Sequence, residues 1–144
     1  MKINFIFKII LFNDSNKIVL FRKKIRSLVN KIANEENRNF SYVNIIFCND
    51  EYLREQNKKF LGLDYETDII TFHDVEEGLI EGELLISVET VKSNSLKFKT
   101  TCKEEIFRVI IHGILHLCGY NDKTTLEKIK IREKENYYLK LHKL

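Results

Sequence analysis

Three features of this sequence predict an α+β fold in one domain, a small mixed β-sheet of about four strands packed with helices. The first is the order of hydrophobic periodicities: strand, helix, strand, helix, two strands, three helices. The second is the absence of repeats, linkers or low-complexity blocks, so that one domain spans residues 1–144. The third is an apolar helical segment near the C-terminal end that carries two histidines four residues apart, His112 and His116.

Each element has its own signal. Met1 to Phe12 is apolar enough to resemble a signal peptide, but Lys8 interrupts it and no small-residue cleavage site follows, and within it Ile3 to Phe12 has the pattern of a strand. It reads as a buried strand. Between Ile18 and Ala33 the residues Val19, Ile25, Leu28, Val29 and Ile32 form a helical stripe. Tyr42 to Cys48 alternates through Val43, Ile45 and Phe47, the period of a strand. Asn49 or Asp50 caps a short helix that carries Leu53 and reaches about Phe60, and Gly62 to Glu66 follows as a loop. Asp68 to His73 and Glu83 to Val88 read as strands joined by the acidic stretch Asp74–Gly82, which is long for a hairpin loop. Glu89 to Leu96 reads as a helix. Thr101-Cys102-Lys103-Glu104 matches a capping box, with Glu104 as its acid, opening a helix from Cys102 to Leu117 that stops at Gly119. Thr124 or Thr125 caps a last basic helix with Leu126, Ile129 and Tyr137 on its inner side.

Composition narrows the class. The 144 residues are 44% hydrophobic and 31% charged, an ordinary water-soluble mix. Cys48, Cys102 and Cys118 form no even set and no C-x-x-C pair, which argues against disulfide partners and for a reducing cytoplasm. No apolar run approaches the ~18 residues of a membrane helix. The net charge of +3 is unevenly spread: residues 1–44 carry nine Lys or Arg against three acids, residues 45–122 eight against fifteen, and residues 123–144 seven against three. Basic ends around an acidic middle suit a polyanion held near a cation site, and equally suit solvated helix faces.

The chemistry lies in Ile111-His112-Gly113-Ile114-Leu115-His116-Leu117-Cys118-Gly119-Tyr120-Asn121-Asp122. Two imidazoles one helical turn apart project from one face and can share a zinc ion. Gly119 ends the helix and reverses the chain, bringing Asp122 back toward that face as third ligand. Two His and one carboxylate leave a fourth position for water, the arrangement of a catalytic metal site. Cys118 competes for the third place but points to another face. Gly113 stands where H-E-x-x-H metalloproteases keep their general-base glutamate, and its presence in a helix implies that another element or a substrate passes close to the backbone.

The run His-Gly-Ile-Leu-His-Leu-Cys-Gly-Tyr-Asn-Asp closely resembles the metal motif of the YbeY family, bacterial single-strand-specific endoribonucleases that act as ribosomal RNA maturation factors. Thr67-Asp68-Ile69-Ile70-Thr71-Phe72 resembles that family's Thr-Asp-Val-Leu-Ser-Phe strand, Gly82-Glu83-Leu84 its Gly-Asp-Ile strand start, and Asn57 its asparagine before the loop. The resemblance implies one Zn2+ per chain, with His112, His116 and Asp122 as metal ligands and both histidines in the catalytic centre. It further implies cleavage in small-subunit ribosomal RNA 3′-end maturation and ribosome quality control, with ribosomal RNA and the small subunit as partners in the cytoplasm. Two departures stand out. The family's third histidine falls on Asp122, and its basic loop residue falls on Leu61, which leaves Lys58 and Lys59 as the nearest phosphate contacts, equally readable as a solvated helix end. Arg108, one turn before His112, suits a phosphate contact or the more frequent surface salt bridge. A metal-dependent hydrolase of another substrate, or a ribosome assembly factor with a structural metal, are the rival readings. His73, at the end of the Thr-Asp strand, and His142, near the chain end, read as surface residues; Tyr137 and Tyr138 read as packing residues.

Overall fold

In a computed structural model, residues 6–11, 21–63 and 67–142 are described. Four strands and five helices follow in the order β1 (Ile6–Leu11), α1 (Arg22–Glu35), β2 (Asn39–Cys48), α2 (Asp50–Leu61), β3 (Ile69–Glu76), β4 (Leu79–Ser87), α3 (Val88–Lys97), α4 (Cys102–Leu117) and α5 (Thr125–Leu141). The sheet runs β1-β2-β4-β3. β1 and β4 both lie parallel to β2, and β3 runs antiparallel to β4, so the sheet is mixed as expected. The expected residues 3–5 and 12 of the first strand, 18–20 of the first helix, including Val19, and 64–66 of the loop lie outside the described residues.

Strand alternation divides the interior in two. Val43, Ile45 and Phe47 of β2 with Leu84 and Ile86 of β4 face a large core completed by α1 and α4. Cys48, Ile70 and Leu85 turn to the other face, where Leu53 of α2 covers them. α4 is the centre of the large core: Ile106, Phe107, Val109, Ile110, Ile111, Gly113, Ile114, Leu115 and Leu117 are all buried. Gly113 is required by the sheet and not by a substrate. A Cβ there would sit 2.7 Å from Ile69 Cδ1 and 2.9 Å from a methyl of Leu84, so the missing side chain lets α4 lie directly on β3 and β4.

The N-caps of α2, α4 and α5 fall at residues the sequence announces, but the reciprocal capping box forms at Thr124 and not at Thr101, where the Thr101 side chain caps Glu104 N alone. Asn49 accepts from Tyr52 N at 2.8 Å at the start of α2, and Thr101 accepts from Glu104 N at 3.0 Å at the start of α4. The reciprocal capping box forms at Thr124, where Glu127 bonds back to the Thr124 amide.

Two expectations are corrected. The stretch Asp74–Gly82 is no long loop: β3 and β4 continue through it in register, with Glu76 opposite Leu79, around the two-residue turn Glu77-Gly78. Both turn residues have positive φ, 54° and 79°, the geometry that suits the twist of a tight hairpin. The second correction concerns α5. Leu126, Ile129 and Tyr137 point to solvent, Leu126 with 80% exposure, while Ile131, Glu135, Tyr138 and Leu139 face inward. A glutamate on the inner face breaks the apolar stripe that would have marked it.

Candidate metal centre

His112 and His116 stand one turn apart on α4, each half-buried, with ring centroids 4.5 Å apart. After Leu117 the chain closes a Schellman turn: Gly119 N bonds the His116 carbonyl at 3.0 Å, Tyr120 N bonds the Leu115 carbonyl at 3.0 Å, and Gly119 takes φ +104°. That reversal brings Asp122 back over the histidines. Its Oδ2 lies 3.2 Å from His112 Nε2 and 3.3 Å from His116 Nε2, and the two Nε2 atoms are 3.0 Å apart.

The partners of the opposite ring nitrogens fix what these atoms are. His116 Nδ1 donates to the Tyr120 carbonyl at 2.9 Å, and His112 Nδ1 donates to the Glu135 carboxylate at 2.8 Å. With Nδ1 protonated on both neutral rings, each Nε2 presents a bare lone pair. Two imidazole lone pairs and one carboxylate oxygen therefore converge within a triangle of sides 3.0–3.3 Å. Ligands about 2.0–2.1 Å from a tetrahedral ion stand about 3.3–3.4 Å apart, so the donor set fits a small divalent cation. His112, His116 and Asp122 are the group of metal-type ligands found together among the described residues. Cys118 is buried, with its thiol raised to about 12 by that burial, and does not belong to this group.

Glu135 was not foreseen. It is 4% exposed and reached by Arg108 Nη1 at 3.3 Å and Arg132 Nη1 at 3.6 Å, besides His112. Its signal in the sequence is its position four residues after Ile131 and three before Tyr138, on the buried side of α5. Burial lowers the pKa of His112, but the Glu135 hydrogen bond and the charges of Glu135, Asp122 and Asp68 outweigh it and leave the imidazole above its ordinary value. Beside the centre a cleft of about 380 Å³ runs along α4, bounded by Asp68, Phe98, Glu105, Arg108 and Arg132. Burial raises the carboxyl of Asp68, partly offset by His112, and burial likewise raises that of Glu105.

The other residues singled out by sequence fall as follows. Arg108 lines the cleft. Lys58 lines a separate groove with Asn49, Asp50 and Arg54, and Lys59 lies 5.2 Å from the ring centre of its neighbour Phe60. Leu61 ends α2 in solvent, and His73 is exposed in the middle of β3. Tyr138 is buried, its hydroxyl donating to Glu36, and Tyr137 donates to Glu35. His142 is the C-cap residue of α5.

A family profile described as Endoribonuclease YbeY matches residues 10–143, a span that contains the whole metal centre. This chain belongs to the YbeY family. A YbeY endoribonuclease of Cytophaga hutchinsonii is 49% identical over 123 residues, covering 85% of this chain and 86% of the relative. One of Bacteroides fragilis is 42% identical over 122 residues, covering 85% and 88%. The solution structure of a Thermotoga maritima protein superposes with a TM-score of 0.68 at 28% identity, covering 95% of this chain and 89% of the other. Within the matched span, Asp122 Oδ2 stands beside the two imidazole Nε2 atoms as an acceptor that could complete a three-donor metal site.

Proposed function

We propose that this chain is a zinc-dependent, single-strand-specific endoribonuclease that acts in small-subunit ribosomal RNA 3′-end maturation and ribosome quality control in the cytoplasm. The observation that carries this is the convergence of His112 Nε2, His116 Nε2 and Asp122 Oδ2 within 3.0–3.3 Å of one another, in a chain whose YbeY relatives are named endoribonucleases.

A divalent ion held by these three residues supplies Lewis-acid polarisation of a phosphoryl oxygen and acidifies the water it binds. The chain's own residues do the rest. Glu135 keeps the proton of His112 on Nδ1, and the Tyr120 carbonyl does the same for His116, so both rings stay oriented with Nε2 inward. Arg108, Lys128 and Arg132 line the cleft among the carboxylates of Asp68, Glu105, Asp122 and Glu135, and with a dication bound to offset those acids they would attract a phosphate backbone in a salt-dependent way. Asp68 stands in the same cleft with its carboxyl raised by burial, and its place on the cleft wall suits it to general acid–base work on a bound substrate.

The test is cleavage of single-stranded RNA by purified protein of known metal content, wild type beside Asp122→Ala. Wild type cuts, and Asp122→Ala loses both metal and cutting. A wild type that holds one ion per chain and never cuts RNA defeats the nuclease reading and leaves a ribosome-binding factor.

A further inference from the structure

The cleft holds a feature that metal binding does not use. Glu105 lies two turns before His112 on the same side of α4, about 10 Å along the helix axis. It is 5% exposed, and its carboxylate lines the cleft without a hydrogen bond or ion pair among the described residues. Arg108 and Arg132 are near enough to attract it, yet both guanidinium groups pair with Glu135. The Glu105 carboxylate therefore keeps acceptor capacity that a ligand entering the cleft can use. Its surroundings say what kind of donor fits. Phe98, the residue that ends α3, is 58% exposed and stands at the same cleft, with Lys97 Nζ 5.6 Å from its ring centre. Val109 and Ile131 give the wall a flat apolar part. An apolar wall, an open aromatic ring and a carboxylate with two free oxygens match a planar ligand that carries adjacent N–H donors.

Resting on the nuclease reading, we propose that this end of the cleft is a nucleobase subsite that selects guanine near the scissile phosphate. Phe98 stacks on the base, and the Glu105 carboxylate accepts from guanine N1–H and N2–H. Adenine and cytosine offer one exocyclic amine to a carboxylate, and uracil only its N3–H, so guanine alone among the four bases satisfies both oxygens from its Watson–Crick edge. Stacking is indifferent to base identity, whereas the paired hydrogen bonds discriminate.

Binding of fluorescein-labelled hexauridylate, and of the same strand with one uridine replaced by guanosine, adenosine or cytidine, is measured by anisotropy. The zinc-loaded wild type is compared with Glu105→Gln, Glu105→Ala and Phe98→Ala. The guanosine strand binds wild type roughly tenfold tighter than hexauridylate. Both Glu105 variants bring that ratio to within about twofold, while Phe98→Ala weakens all four strands by a similar factor. Thermal melting and zinc content accompany each variant, and at least one Glu105 variant must match wild type in both. Equal binding of all four strands by wild type overturns the subsite, as does a guanosine preference that survives in the folded Glu105 variants. Cutting of a mixed-sequence single strand is scored in parallel. Cutting without base preference sinks the subsite alone; guanosine-selective binding without cutting sinks the nuclease reading alone.

Discussion

Glu135→Gln exchanges a carboxylate for an amide of nearly the same shape, so the apolar packing of α5 around Ile131, Tyr138 and Leu139 stays in place. What changes is the bond to His112 Nδ1, 2.8 Å long and charge-assisted in the native protein. A hydrogen bond to a charged group contributes about 1.5–3 kcal/mol and a neutral one about 0.5–1.5 kcal/mol, a difference of about 1–1.5 kcal/mol. If that difference falls on the orientation and basicity of His112, metal affinity drops roughly tenfold. Glu135→Ala removes the acceptor altogether and leaves the ring without a fixed tautomer, so its loss is expected near the upper end of the roughly 10–100-fold seen for outer-shell partners. The two arginines do not confuse the comparison. Arg132 is 59% exposed along its side chain, and the partly exposed Arg108 borders the cleft, so both guanidinium groups can turn to water. Zinc affinity is read by competition with a chromophoric chelator at fixed pH, and melting in excess EDTA separates metal loss from fold loss. A well-folded Glu135→Ala with wild-type zinc affinity refutes the positioning role.

Three further outcomes follow from the same structure. Gly113→Ala gains about 1 kcal/mol of helix propensity but drives a methyl to 2.7 Å from Ile69 and 2.9 Å from the fully buried Leu84; overpacking of about 1–3 kcal/mol makes the net effect a loss near 1 kcal/mol in urea unfolding, and a gain in stability contradicts it. For Glu36, burial pushes the carboxyl up, but hydrogen bonds from Tyr120 and Tyr138 and the charge of Lys134 outweigh it and hold it below its ordinary value. Its stabilising contribution is therefore present above the unfolded pKa of about 4.3 and is lost as pH falls through the lower folded value, so Glu36→Gln flattens that part of the stability–pH curve; parallel curves for both proteins count against it. Burial raises the thiols of Cys48 and Cys118 to about 12, while Cys102 is exposed. One thiol per folded chain reacts with iodoacetamide at pH 8 before the others, and a second reacting at the same rate overturns the assignment.

How far the sequence carries depends on whether burial and apolarity coincide. In α4 they do: the stripe, the Thr101 cap and the Gly119 stop give its limits directly, and the Cys102–Leu117 span is the expected one. The same holds for β2, where Val43, Ile45 and Phe47 alternate into the large core. They part company in the β3–β4 hairpin. Its outer half, from His73 to Leu79, is exposed, so both arms carry acids and no alternation marks them as strands. They part company again on α5 and at the start of α4, where Glu135 and Glu105 occupy buried positions. A hydrophobic stripe cannot announce a buried carboxylate; Glu135 is accounted for by the His112 imidazole and the Arg108 and Arg132 guanidinium groups that meet it in the folded chain.

Of the three residues that could hold the ion, Asp122 is the one whose backbone has room to adjust. His112 and His116 are fixed by a helix whose neighbours Ile110, Ile111, Ile114 and Leu115 have no exposure at all. Moving either histidine by one residue turns its ring about 100° away from the site. Asp122 comes from the loop beyond the Schellman turn, with a side chain 42% exposed, and that loop can shift to bring the carboxylate oxygen to the two ring nitrogens. Asp122 Oδ2 lies 3.2 and 3.3 Å from the two Nε2 atoms, close enough to share an ion with them. Its electrostatic consequence is one more negative charge facing His112, beside Glu135 and Asp68. An anionic oxygen ligand strengthens the hold on a dication and makes the water it binds less acidic than three neutral imidazoles would. The helix thus sets the geometry of the centre, and the loop sets its charge.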